Sequence, residues 1–380
     1  MLYRPIGKTG KKASIIGLGC EHLDGTPYQQ VESTIHAALE GGINYMDVFM
    51  PGETIRRDIA KALGPRRKDV YLQAAVGSTD INQQYDISRD LPTVQKYFED
   101  CLRIFGGYID FGFLFFVDTI EDYQKIFDNG LADYIQKLKQ QGDIAHIGFS
   151  SHNPEIALKM VNTGLPEMMM FSINLAFDLA PSNKAVLDSM FDDWQGETLH
   201  QLDPVRMELY RVCEQKGVGI SVMKTLGAGK LISPQHTPFT SPMSVNQCIH
   251  YALSRPAVYT TLLGCKTPQE IQDSLTYLSA TNEQKDYSPF LSQLQSDFSG
   301  KCVYCSHCLP SPSEIDIAAV NKYLDIALLD PTHIPSTIKA HYQALANGGD
   351  TCIACGSCES RCPFNVSIID NMAKAAELLG

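Results

Sequence analysis

Seven cysteines fall within the last 79 residues of the chain, and their spacing is that of a metal site. Cys352, Cys355, Cys358 and Cys362 read C-x2-C-x2-C-x3-C, followed by Pro363. Tight turns between such thiolates aim three of them, with backbone amides, at one [4Fe–4S] cubane; the cysteine before proline lies further off and can reach a second. Four thiolates also hold Zn²⁺, which is the alternative. Three ligands within seven residues suit a cubane better. A second run, Cys302, Cys305 and Cys308, opens with the same C-x2-C-x2-C. It continues Leu309-Pro310-Ser311-Pro312, so Ser311 stands before proline where a fourth cysteine is expected. If the runs exchange their last ligand, Cys302, Cys305, Cys308 and Cys362 complete one cluster. The other then has Cys352, Cys355 and Cys358, with one iron lacking a thiolate. Serinate, water or a substrate would bind that iron, an open Lewis-acid position. A ligand from elsewhere in the chain and a non-catalytic three-iron cluster are the plainer outcomes.

The rest of the composition bounds the setting. The chain has 380 residues, 44% apolar and 19% charged, which is a globular mix with ample core. No run reaches ~18 uncharged apolar residues, so no membrane insertion is expected. The first 14 residues are basic but no apolar run follows them, unlike a signal peptide. A reducing cytoplasm is the expected location, where clustered thiols read as metal ligands rather than disulfides. A net charge of −12 argues against nucleic acid or an anionic membrane as the main partner.

Eight short apolar, β-branched or aromatic runs read as strands buried on both faces: 13–18, 45–48, 70–76, 111–117, 146–150, 168–174, 218–223 and 258–263. Amphipathic runs alternate with them, among them 30–40, 91–103, 123–140 and 246–253, and several end at glycine. Eight β-then-α units predict a closed parallel (β/α)8 barrel, which takes ~250 residues. An open doubly wound sheet is the alternative, but no GxGxxG follows the first strand. The domains expected are a barrel over 1–283, a polar linker over 284–299 and an iron–sulfur domain over 300–380. In the last, two cysteine runs bracket helices over 315–329 and 338–347. Residues 175–200, with Pro181, Ser182, Asn183 and the sole Trp194, read as an irregular insertion on the active-site face. Glu21, His22, Glu53, Asp118 and His152 each follow a strand and should reach the C-terminal face, where barrels do their chemistry. A histidine there titrates near neutral pH and can act as acid or base.

Several segments resemble the aldo/keto reductases, in the family's order. They are Tyr3-Arg4-Pro5-Ile6-Gly7-Lys8-Thr9-Gly10, Ile16-Gly17-Leu18-Gly19, Gly42-Ile43-Asn44-Tyr45-Met46-Asp47, Ile147-Gly148-Phe149-Ser150-Ser151-His152, Met223–Leu231 and Leu263–Pro268. The resemblance covers roughly residues 2–280. The tail resembles the ferredoxin-type domain of a subgroup of that family, which usually has cysteine where Ser311 stands. The family reduces carbonyls with a tyrosine acid, a lysine that lowers the tyrosine pKa, a histidine that orients substrate and an aspartate that supports the lysine. Asp47 matches the aspartate. No tyrosine lies in Asp47-Val48-Phe49-Met50-Pro51-Gly52-Glu53, Ala75 stands where the lysine is expected, and Phe115 where the histidine is expected. A displaced tyrosine without that lysine would titrate near ~10 and be a weak acid at pH 7.

The resemblance also implies a nicotinamide site. It places Ser150, Ser151 and Asn174 near the carboxamide, and Lys224, Gly227, Gly229 and Lys230 around the pyrophosphate, which glycine-rich backbone at a helix start favours. Lys266 and Thr267 would meet a 2′-phosphate and favour NADPH. Gln272-Asp273-Ser274 departs from the acid-then-asparagine expected there. The function expected is an iron–sulfur oxidoreductase on an aldo/keto reductase-like barrel. It would move electrons between [4Fe–4S] clusters and a small-molecule substrate or NADPH at the barrel mouth. A hydride carries two electrons and a cubane one, so a flavin is a further candidate. Asp47, Glu21, His22 and His152 are the candidate catalytic residues. The alternatives are a lyase or dehydratase using the open iron, and an electron carrier or redox sensor with a partner protein.

Overall fold

The computed structural model describes residues 1–81, 86–180, 201–292 and 298–380. Eight parallel strands close into a barrel: β1 (Ile16–Gly19), β2 (Tyr45–Asp47), β3 (Tyr71–Val76), β4 (Ile109–Leu114), β5 (Ile144–Ser151), β6 (Met168–Ser172), β7 (Gly219–Met223) and β8 (Val258–Leu263). Each pairs with the next, and β8 closes on β1 through Thr261 opposite Ile16. All eight fall on the apolar runs expected from the sequence. The irregular stretch expected over 175–200 lies outside the described residues from 181 onward, Trp194 included.

Helices ring the strands: α1 (Tyr28–Glu40), α2 (Glu53–Leu63), α3 (Leu91–Ile104), α4 (Ile120–Asp128), α5 (Leu131–Gln141), α6 (Pro154–Asn162), α7 (Pro204–Lys216), α8 (Val245–Ser254) and α9 (Pro268–Leu275). The single helix expected over 123–140 is two. Gly130 takes a left-handed φ of 77° between α4 and α5, a conformation that costs glycine nothing and breaks the helical ladder. Side-chain oxygens of Asp90, Thr119, Asn153, Asp203, Ser244 and Thr267 cap helix starts, which fixes where several strand-to-helix turns end.

Inside the barrel Tyr45, Phe111, Phe113, Met168, Met170 and Tyr259 fill one cluster with Ile6 and Ala13 of the N-terminal hairpin. That hairpin pairs Tyr3–Pro5 with Lys12–Ser14 and plugs the barrel floor. Arg4 Nη1 donates to the carbonyls of Leu253 and Val258 at 2.6 and 3.1 Å. Gly7 must be glycine: an added Cβ would lie 2.3 Å from Gly217 O, at a φ of 44°.

The C-terminal segment adds α10 (Ile317–Ala327), α11 (Ser336–Gln343) and α12 (Ile368–Leu379). It docks on the floor side of the barrel. Arg255, between α8 and β8, donates from Nη2 to Val303 O at 2.7 Å and to Tyr287 Oη at 2.8 Å. His341 Nδ1 meets Glu214 Oε1 at 2.6 Å, at the end of α7. Burial alone would raise the Glu214 carboxyl; His341 and Lys322 outweigh it and hold it below the carboxylate range. The stretch expected as a polar linker is structured where it is described. Residues Ser288–Ser292 are helical, and Tyr287, Phe290 and Leu291 are buried. The rest of it, 293–297, lies outside the described residues.

Candidate functional site

A chain of hydrogen bonds climbs the barrel interior. Tyr259 Oη donates to Tyr45 Oη at 2.8 Å, and Tyr45 Oη donates to Gln73 Oε1 at 2.8 Å. Ser221 Oγ donates to the same oxygen at 3.2 Å. With its oxygen taken twice, the Gln73 amide must turn Nε2 the other way, and Nε2 donates to Asp47 Oδ1 at 3.0 Å. Strand register puts Asp47 beside Gln73 across β2 and β3. Burial raises the Asp47 carboxyl to about 8, against a lowering by Gln73, with a further rise from Glu21. Near neutral pH Asp47 is therefore mostly protonated. Gln73 holds Oδ1 as an acceptor, which leaves Oδ2 for the proton.

Asp47 lines a cavity of about 440 Å³ at the C-terminal ends of the strands. Glu21, His22, Lys224, Gly229 and Lys266 line it too, so the structure brings together six of the residues singled out from the sequence. The floor is apolar, with Phe49, Phe116, Met170, Met223 and Leu262. Phe49 and Phe115 stack at 5.6 Å, and Phe115 and Phe116 at 4.0 Å. Aromatic rings thus fill the space beside Asp47, and Ala75 is buried without a polar group. The His22 ring lies against Gly264, where a Cβ would come within 2.4 Å of Cδ2.

The other candidates stand behind this cavity. Ser150 Oγ accepts from Phe116 N at 2.9 Å, and Ser151 Oγ donates to Asp118 Oδ1 at 2.9 Å. Asn174 is fully buried: Oδ1 accepts from Phe177 N and Nδ2 donates to Lys224 O at 2.8 Å. These three support Phe116, Asp118 and Lys224 rather than line the cavity. His152 Nδ1 meets Asp118 Oδ2 at 2.9 Å, and its ring stands edge-on to Phe116 at 4.6 Å. His152 Nε2 is buried without a hydrogen-bond partner. Burial would raise Asp118, but His152 and Ser151 hold it low. Glu53 is exposed and pairs with Arg57. Thr267 caps α9 and Gly227 turns the loop that carries Lys230.

That loop is tightly turned. Lys224, Gly227, Ala228 and Gly229 take φ values of 62, 58, 55 and 85°. The amides of Gly227, Gly229, Lys230 and Leu231 are donated to carbonyls of the loop itself, so its side chains rather than its backbone face a ligand. Thr225 lines the cavity, its Oγ1 is buried without a partner, and Lys224 and Lys266 add positive charge. Glu270 opposes them on the same wall; its Oε2 accepts from Lys266 N at 2.5 Å. The donors left for an anion on this wall are Lys224 and Lys266.

The cysteines gather around two small cavities in the C-terminal segment. Cys302, Cys305, Cys308 and Cys362 line one, with Pro363. Cys352, Cys355 and Cys358 line the other, with Ser311 and Pro312. In each run two residues between the cysteines are left-handed: Tyr304 and Ser306 at 62 and 63°, Ala354 and Gly356 at 52 and 75°. Backbone nests that include left-handed residues occur at iron–sulfur sites. Among the described residues no three or more His, Cys, Asp or Glu side chains converge as a group that could hold a metal ion. A single zinc needs every thiolate about 2.3 Å from one point. A cluster gives each thiolate its own iron and so spaces the thiolates more widely.

A closed eight-stranded parallel barrel serves many enzyme classes, and the family match places this one among the oxidoreductases. The chain belongs to the aldo/keto reductase family, whose model matches residues 15–247. Solved structures share its fold. An aldo-keto reductase of Bacillus halodurans, in holo form, is 20% identical, with a TM-score of 0.59 over 77% of this chain and 96% of that one. A Pseudomonas aeruginosa protein assigned to the aldo-keto reductases is 18% identical, with a TM-score of 0.56 over 73% and 96%. At such identities the likeness is one of fold. The curated proteins contain no match to the chain. No helix among the described residues is long and apolar enough to cross a membrane.

Proposed function

We propose that this oxidoreductase couples two iron–sulfur clusters, held in residues 300–380 on a barrel of residues 1–283, to a nicotinamide site at the barrel mouth. The observation that carries the reading is the partition of the seven cysteines. Each small cavity receives one C-x2-C-x2-C run and the pre-proline residue of the other run. Clusters bound there would supply one-electron transfer. The chain's own residues do the rest. Thiolates and nested amides hold the clusters, and Arg255 fixes the first cysteine run to the barrel.

At the mouth, Lys224 and Lys266 would hold the phosphates of NADPH. Asp47 takes the place of the missing tyrosine as proton source. Its neutral carboxyl can donate to an oxygen in the cavity, as a carboxylic acid kept protonated by an apolar site does. Phe49 and Phe116 keep one side of the cavity beside it apolar. A flavin would resolve the mismatch between a two-electron hydride and one-electron clusters.

A second reading is favoured by one observation. The cysteine segment sits at the floor, and the cavity sits at the other end of strands such as the six-residue β8, roughly 20 Å long. Cys355 is exposed, as is Ile353 beside it. That placement suits an electron carrier serving a partner protein. The dehydratase reading is weakened, because the Ser311 cavity is lined by no acid, base or histidine.

Iron and acid-labile sulfide counts on the full chain, reconstituted anaerobically, test the proposal. About eight of each per chain are expected from two cubanes. Zinc, or no iron, would overturn it.

A further inference from the structure

The two cysteine runs repeat each other in backbone as well as in sequence. Tyr304 and Ala354 each stand two residues past the first cysteine of their run, and Ser306 and Gly356 each stand one past the second; all four are left-handed. The repeat continues beyond the cysteines. Glu314 and Asn365 share a φ of 53°. Glu314 stands three residues past Ser311 (311 to 314), and Asn365 three past Cys362 (362 to 365). Glu314 N donates to Ser311 O at 2.9 Å, and Asn365 N to Cys362 O at 3.5 Å. Then α10 starts at Ile317 and α12 at Ile368, six past each (311 to 317, 362 to 368). Ser311 thus occupies the backbone station of Cys362. It does so although two residues separate it from Cys308, and three separate Cys358 from Cys362.

Cys362 lines the cavity of the opposite run, and so does Ser311. We propose that Ser311 Oγ is the fourth ligand of the second cluster, completing three thiolates with one alkoxide. This rests on the cluster reading given above. Besides the three cysteines and two serines, the cavity is walled by proline, isoleucine and methionine alone. The one other hydroxyl on its wall belongs to Ser313, whose counterpart in the repeat is Phe364. Ser313 N donates to Ser311 Oγ at 3.3 Å, which orients the hydroxyl. Ligation forms an O–Fe bond as the hydroxyl proton passes to solvent, and no electron moves. The second cluster therefore differs from the first in ligand chemistry, with a harder oxygen donor on one iron.

The test compares the full chain with Ser311→Ala, Ser311→Cys and Ser313→Ala, each reconstituted anaerobically. Iron is counted, and EPR is recorded after mild oxidation and after dithionite. Ser311→Ala should lose about one iron per chain on mild oxidation and give a three-iron signal. Ser311→Cys should keep all its iron and change the reduced-state EPR of one cluster alone. Ser313→Ala should match the unaltered chain. If Ser311→Ala keeps its iron and spectra, Ser311 is not a ligand, while the cluster reading stands. If the unaltered chain takes up no iron, the cluster reading itself falls and takes this proposal with it. Circular dichroism on each variant separates ligand loss from misfolding.

Discussion

Gln73 Nε2 donates to Asp47 Oδ1 at 3.0 Å, and that bond decides which carboxyl oxygen can serve the cavity. The orientation is inherited from below: Tyr45 and Ser221 both spend their hydroxyl protons on Gln73 Oε1. A lysine in the place of Ala75 would favour the ionised aspartate. A glutamine leaves it neutral.

The raised Asp47 value has a stability consequence with a definite sign. An aspartate near ~3.9 in the unfolded chain and at about 8 in the folded one keeps its proton only in the folded state between those values. The resulting stabilisation is complete below pH ~4 and is lost as pH rises through about 8. Asp47→Asn should not share that loss. Denaturant unfolding from pH 4 to 9 should show the variant gaining on the unaltered chain by a few kcal/mol. Parallel pH profiles would mean that Asp47 is ionised in the fold. Any proton-requiring turnover at the mouth should fall in the same variant.

Tyr45→Phe should cost about 1–2 kcal/mol, because it leaves the fully buried Tyr259 hydroxyl without its acceptor and Gln73 Oε1 with one donor. A melting point lower by a few degrees is the readout. An unchanged melting point would mean that water replaces the lost hydroxyl.

Arg255→Met removes a guanidinium that is 1% exposed and that ties Val303 O, Tyr287 and Ser254 together. It lies over the Tyr251 and Tyr304 rings at 4.4 and 5.1 Å. A loss of ~2–4 kcal/mol is expected. Hydrogen exchange should quicken first in residues 300–308, with the barrel strands still protected. Uniform quickening through the barrel would contradict this local role.

Lys266→Ala should weaken NADPH binding roughly tenfold, the worth of about one charge-assisted hydrogen bond. Calorimetry with NADPH and NADH measures it. Equal losses for both would place Lys266 away from the 2′-phosphate.

The barrel was legible in the sequence because strands buried on both faces are unbroken apolar runs, and this chain has eight in order. The break between α4 and α5 was missed, although the Asn129-Gly130 pair in the middle of that run carried its signal. The site was legible only in part. Asp47, Glu21, His22, Lys224 and Lys266 follow strands and reach the mouth as position dictates. Gln73 was passed over, because its partners Ser221 and Tyr45 are distant in sequence and meet only when the barrel closes. Ser150, Ser151 and Asn174 have the types expected around a nicotinamide, but capping and backbone bonds claim them. The placement of the cysteine segment rests on Arg255 and on the Glu214–His341 pair, which no local pattern announces. The equivalence of Ser311 and Cys362 was half visible in the Ser-Pro and Cys-Pro pairs. The backbone repeat past them needed the structure.

The measurement that tests the central claim most directly is an anaerobic NADPH titration of the reconstituted full chain, followed by visible absorbance and low-temperature EPR. The account predicts bleaching of the cluster absorbance and a reduced-cluster signal as NADPH is added. Reduction by dithionite with none by NADPH would contradict a path from the mouth to the clusters, and would leave the segment as a carrier for another protein.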